Sequence, residues 1–132
     1  MKIAFTSTDG TVVDQHFGTS DTFWLWEVDS ESAECVGQRS AIPQGLDQED
    51  RIVARATALE GCSLVYTMQI GGPAAAKLVA RHIHPMKTTT ETPISEVVEK
   101  LQTVLRGNPP PWLRKALGQT PQFQRYASED DD

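Results

Sequence analysis

Apolar positions along the chain follow two rhythms. Short strand-like runs occupy Met1–Phe5 (MKIAF), Thr22–Asp29 (TFWLWEVD), Ala33–Ser40 (AECVGQRS), Cys62–Gln69 (CSLVYTMQ) and the IHPMK segment from Ile83. The roughly 3.6-residue period of an amphipathic helix runs through Gln48–Glu60, through AAAKLVARH from Ala74 and through ISEVVEKLQTVLRG from Ile94. The order is strand, hairpin, helix, strand, helix, strand, helix. Two strand–helix–strand crossovers in the later half favour parallel pairing, and the early hairpin adds an antiparallel strand. The expected fold class is therefore α/β, in three α/β/α layers around a five-stranded mixed sheet over residues 1–107.

Local signals sharpen these boundaries. A turn at Asp29, Ser30 and Glu31 joins the hairpin, whose alternation puts Trp24 and Trp26 on one face and Phe23 and Leu25 on the other, so both faces need cover. Ile42–Leu46 reads as a crossing loop, and Asp47 as the cap of a helix that buries Ile52, Ala56 and Leu59, with Val53 widening the stripe, and stops at Gly61. Gly72 is expected at the N-cap of the next helix and Pro73 in its first turn, and that helix ends near His82. Thr92 and Pro93 start the third and strongest helix, with Ile94, Val97, Val98, Leu101, Val104 and Leu105 on its apolar face and Gly107 as its stop. Residues 108–118 read as a stiff Pro-rich segment with a short helix (NPPPWLRKALG) against the domain. Residues 119–132 read as an acidic mobile tail, docking through Trp112, Phe123 or Tyr126.

Composition removes whole function classes. Eighteen acidic against 12 basic residues give a formal charge of −6, which argues against nucleic acid or an anionic membrane as the main partner. No apolar run reaches transmembrane length and no secretory leader pattern opens the chain, so a cytoplasmic location is expected. Cys35 and Cys62 are too few for a disulfide framework and lack the close spacing of a self-contained zinc or iron–sulfur site. The glycines fit neither nucleotide-binding fingerprint, and no nucleophile-elbow motif is present, so neither nucleotide binding nor hydrolytic catalysis is supported.

The polar loop after the first strand, TSTDGTVVDQHFG, ends in His16, Phe17 and Gly18. It has little apolar content to hold it down and is expected to be mobile until a ligand binds. In an open α/β sheet the carboxyl ends of parallel strands line the ligand crevice. If the first and Cys62–Gln69 strands are parallel neighbours, His16 and the Gly71–Gly72 helix start share one crevice. His16 then has two readings: an imidazole ligand for iron or a soft metal, or a residue that only shapes the turn. The helix start favours an anion, and Lys77 and Arg81 are nearby in sequence, either guiding that anion or standing as solvated charges. His82 and His84 form an H-x-H pair across a helix–strand boundary. With Cys35 and Cys62 they complete the candidate metal ligands, while Met68 reads first as core filling.

The segments MKIAFTSTDG, QHFG, FWLWEV, CSLVYTMQIGGPAAAKL and NPPPWLRKAL together resemble the nitrogenase cofactor-biosynthesis carrier family, over nearly all of Met1–Leu117. The resemblance implies a ribonuclease-H-like fold and a non-enzymatic carrier. Such a carrier binds the iron–molybdenum cofactor, or its iron–sulfur precursor, transiently. It passes the cluster between the radical enzyme that makes the precursor and the scaffold on which it matures. A family histidine implicated in cofactor binding matches His16; nothing comparable fixes Cys35, Cys62, His82 or His84. The extra N-terminal domain of the gamma-type relatives has no counterpart here, which favours precursor traffic, by a monomer or weak homodimer. The alternative is a regulatory or protein-interaction domain of the same system that carries no cluster.

Overall fold

The computed structural model describes residues 1–40, 48–107, 110–111 and 113. The expectations for Ile42–Leu46, the Asp47 cap, Trp112 and the tail after Gly118 lie outside the described residues. In chain order the elements are β1 (Lys2–Thr6), β2 (Val12–Val13), a 3-10 turn (Phe17–Thr19), β3 (Thr22–Val28), β4 (Ala33–Ser40), α1 (Gln48–Ala58), β5 (Leu64–Thr67), α2 (Gly72–Ala80), β6 (His84–Lys87), β7 (Thr92–Pro93) and α3 (Ile94–Arg106).

β1 is the middle of a five-stranded sheet ordered β4-β3-β1-β5-β6. It is apolar on both faces, and Ile3, Ala4 and Phe5 are wholly buried. Burying Ile3 and Phe5 contributes roughly 1.5–3 kcal/mol each. β3 pairs with β1 antiparallel, Lys2 opposite Glu27 and Thr6 opposite Phe23. β5 pairs with β1 parallel, Ile3 opposite Leu64 and Phe5 opposite Tyr66. β6 extends the parallel half and β4 the antiparallel half. The sheet is thus mixed, with helices on both sides.

Strand alternation sorts the side chains into two cores. Ala4, Phe23, Leu25 and Val65 meet Ala56 and Leu59 at the end of α1 and Ala74 and Leu78 of α2. Ile3, Phe5, Val28 and Leu64 meet Ile94, Val97, Val98 and Leu101 of α3, with Trp24 and Trp26 packed against that second cluster. The tryptophan face of β3 is therefore the α3 face. Phe5 stacks on Tyr66 at 5.5 Å and meets Trp26 edge-on at 6.3 Å, both within the usual range for paired rings. α3 is latched at its far end, where Gln102 Nε2 donates to the Asp29 carbonyl and Arg106 Nη1 to the Ser30 carbonyl.

Several boundaries differ from the sequence reading. The fourth long strand is trimmed from Cys62–Gln69 to Leu64–Thr67, because Cys62 belongs to the turn after α1, its N–H donating to the Leu59 carbonyl, and Met68 turns away to donate to the Gln15 carbonyl. α1 ends at Ala58, two residues short of Glu60, and the chain turns through Gly61 at φ +92°. Gly71, not Gly72, is the N-cap of α2, so Gly72 lies inside its first turn. Thr92–Pro93 does not open the third helix. It forms β7, paired with Val12–Val13 of the first loop, and the helix begins at Ile94, whose N–H donates to the Thr11 carbonyl. Val104 is 39% exposed, so the buried stripe of α3 ends at Leu101 with Leu105 half-buried.

Candidate functional site

Because β1 and β5 are parallel neighbours, their carboxyl ends, Thr6 and Thr67, open side by side. The loop leaving β1 crosses this edge and is held there by polar groups, although it has little apolar content. Asp9 Oδ1 accepts the Thr11 N–H at 2.9 Å and the Thr11 hydroxyl at 2.8 Å, and these bonds hold its carboxyl below the usual carboxylate range. Between them Gly10 adopts φ +85°, and a Cβ there would come within 2.8 Å of the Trp24 ring. Trp24 Nε1 in turn donates to the Ser7 carbonyl at 3.1 Å. Asp14 Oδ1 accepts the Thr8 N–H at 2.9 Å.

His16 lies between two anchors. On one side the Gln15 carbonyl accepts the hydroxyls of Thr6 (2.9 Å) and Thr67 (3.0 Å) and the Met68 N–H (3.0 Å). On the other, the Phe17 N–H donates to the Gln69 carbonyl at 2.8 Å, and the Phe17 ring is buried against Phe23 at 5.8 Å. His16 itself is exposed. It is the N-cap residue of the 3-10 turn, yet its imidazole makes no capping hydrogen bond, so that structural role is not the one its side chain fills. The backbone at His16 is thus held on both sides while its side chain stays exposed.

Phe17 and Gly18 form one wall of a cleft of about 400 Å³. The start of α2, Gly71 with Pro73 and Ala74, forms a second, and Arg51, Ile52 and Arg55 of α1 form the third. Gly71 is extended, and its carbonyl accepts the Ala75 N–H as the first bond of α2. Arg55 is only 7% exposed, and its Nε (3.2 Å) and Nη2 (2.9 Å) both donate to the Ser20 carbonyl at the entry to β3. Burial, and then the neighbouring Arg51 charge, pull the Arg55 guanidinium below its ordinary range, with Asp21 opposing. Both arginines escaped the sequence reading. Their signal was present as an i, i+4 pair on the helix that buries Ile52 and Ala56, but periodicity alone does not say that this flank of α1 faces the crevice.

The other candidates are dispersed. Lys77 is half-buried one turn into α2. Arg81 is the C-cap at the opposite end of that helix, donating to the Thr57 hydroxyl, and so sits away from the Gly71 end. His82, at φ +63°, and His84, the first residue of β6, lie near the amino ends of the parallel strands. Cys62 is buried at that same end, its thiol pushed up by desolvation, and Cys35 is exposed on the outer strand β4. Among the described residues no three His, Cys, Asp or Glu side chains gather as a metal site. The structure thus joins Phe17, Gly18 and Gly71 in one cleft, with His16 and Gly72 their immediate neighbours in the chain. It does not bring Cys35, Cys62, His82, His84 or Arg81 to them.

A larger groove of about 540 Å³ lies on the α3 face, bordered by Tyr66, Met86, Val97, Leu101 and Leu113. Its wall is mainly apolar, and burial pushes the Tyr66 phenol up to about 12. The smaller cleft instead brings two guanidiniums together with a helix start.

No helix among the described residues is long and apolar enough to cross a membrane. Residues 1–104 match the family described as "Dinitrogenase iron-molybdenum cofactor". The chain is 36% identical over 140 residues to the NifX protein of Rhodobacter capsulatus, covering 99% of this chain and 87% of that one. It is 40% identical over 121 residues to the NifY protein of Azotobacter vinelandii, covering 92% of this chain but only 50% of the relative. The crystal structure of PH0822 superposes with a TM-score of 0.59 at 20% identity, over 78% of this chain and 91% of that one, a likeness of fold. The chain belongs to the dinitrogenase iron-molybdenum cofactor family, together with the NifX and NifY proteins.

Proposed function

We propose that this protein is a non-catalytic carrier in nitrogenase cofactor assembly. It holds the iron–sulfur precursor of the iron–molybdenum cofactor, or the cofactor itself, and passes it on in the cytoplasm. The observation that carries this reading is the exposed His16, whose backbone is held between the Gln15 and Phe17 anchors and which directly precedes the cleft residue Phe17 in the chain. A single imidazole does not build a resident metal site. It suits a cargo whose iron atoms are already bridged by sulfide and need only one further ligand. A carrier must also release its load, and one protein bond to a surface position permits that. The donors and acceptors of such cargo are the radical enzyme that makes the precursor and the scaffold on which it matures, met by a monomer or weak homodimer.

The test is anaerobic gel filtration after mixing with isolated precursor cluster. The protein peak should be brown and contain iron, and His16→Ala should stay folded by circular dichroism while losing most of that iron. Colourless protein at saturating intact cluster would leave the interaction-domain reading. Equal iron and equal release rates for parent and His16→Ala would remove His16 as the ligand.

A further inference from the structure

We propose that the cleft between α1 and the start of α2 is an oxyanion pocket in its own right, with Arg51 as the residue that recognises a carboxylate-, phosphate- or sulfate-type group. This deepens the carrier reading and rests on it for the identity of the physiological ligand: the cargo is gripped by an anionic oxygen-bearing group in the cleft and by a metal bond at His16.

The lining carries the argument. Among the described residues that line the cleft, the formally charged side chains are Arg51 and Arg55, and none of them carries a thiol, imidazole, thioether or carboxylate. It is therefore unsuited to ligating a metal and suited to hydrogen bonding an anion. A guanidinium presents planar forked donors that match two oxygens of such a group. Two like charges one helical turn apart raise each other's energy, a repulsion that Asp21 offsets only in part at Arg55, whose guanidinium stays below its ordinary range, and an anion in the cleft would relieve it further. Arg55 is 93% buried, given its 7% exposure, and is tied to the Ser20 carbonyl, so its charge is fixed beside the cleft instead of swinging into solvent. Arg51, one turn earlier in α1, is exposed and lines the same cleft, so its guanidinium is open to a ligand arriving from solvent. Gly71 and Pro73 add the positive end of a nine-residue helix on the facing wall. At about 400 Å³ the cleft lies within the roughly 300–1,000 Å³ of small-ligand sites and has room for an anionic group attached to a larger body.

The experiment uses the full chain without any cluster. Sodium sulfate, and in a second series sodium phosphate, is titrated at constant ionic strength balanced with sodium chloride, and amide shifts are followed by NMR. Saturable shifts are expected at Gly18, Gly71, Gly72 and Ala74. Arg51→Gln, folded by circular dichroism, should weaken binding about tenfold, as expected for losing a charge-assisted hydrogen bond. Lys100→Gln removes the same charge from α3 and should leave binding unchanged. Absence of saturable shifts in the parent, or equal binding by parent and Arg51→Gln, would overturn the pocket. The two readings fail separately. Saturable sulfate binding lost in Arg51→Gln, with no iron cluster retained, would keep the pocket and reject the carrier. Full cluster loading in both proteins without sulfate binding would do the reverse.

Discussion

Gly10 is the position at which a single methyl group should most sharply report how the first loop is held. It sits at φ +85°, a conformation that disfavours any other residue by roughly 1–2 kcal/mol. An added Cβ would also meet three atoms of the Trp24 ring, the nearest at 2.8 Å. That ring cannot swing aside cheaply, because its Nε1 is bonded to the Ser7 carbonyl and its body packs on the α3-side core. Overpacking against such a neighbour costs about 1–3 kcal/mol, while the stiffer unfolded chain of an alanine variant returns about 0.4–1 kcal/mol. Gly10→Ala should therefore lose about 2–4 kcal/mol. Gly61→Ala is the matched control: its φ is +92° but nothing lies within 4 Å of the new methyl, so it carries the backbone cost alone, about 1 kcal/mol. Urea unfolding followed by circular dichroism measures both, with equal slopes required for the comparison. A difference below about 0.5 kcal/mol between the two variants would show that Trp24 does not clamp the loop, and the account of a pinned His16 would lose its first support.

The two thiols should react at different rates: exposed Cys35 with a disulfide reagent at once, buried Cys62, its thiol raised by desolvation, only as the fold opens. Two equal fast phases would contradict the placement of Cys62 in the α1-side core. Asp29 accepts the N–H groups of Glu31 and Ser32, both at 2.8 Å, and these bonds, then the Ser32 hydroxyl, lower its carboxyl from the ordinary 3.8. A folded value below the unfolded one means its stabilisation is complete above about pH 4 and disappears as pH falls through the lowered value. Asp29→Asn should thus flatten part of the fall in urea midpoint between about pH 4 and 2, and an unchanged profile would show that the hairpin turn does not depend on that charge.

How much of this was legible beforehand differs from element to element. The β3–β4 hairpin, the buried face of α3 through Leu101 and the Gly61 turn follow from local rules, because period, branching and φ-permissive residues act within a few positions of one another. His16 was legible as a candidate for the same reason: it closes the loop that must follow an N-terminal buried strand. What holds its backbone beside the cleft depends on contacts far apart in sequence. Thr67 Oγ1 reaches Gln15 across 52 positions, and the Ser20 carbonyl receives Arg55 across 35. Such contacts are set by the sheet order β4-β3-β1-β5-β6, which results from burying β1 on both faces. The same lateral order removes the H-x-H pair from consideration as neighbours of His16, since β6 begins at the opposite end of the parallel strands. It also recruits Thr92–Pro93 into a ladder with Val12–Val13, a pairing that no local pattern encodes. The sequence determined which segments are strands and helices and which loop carries the imidazole. Only tertiary packing decided that two arginines of α1 face that loop, because the rotation of a helix against a sheet is set by the whole of its buried face and not by the charged residues beside it.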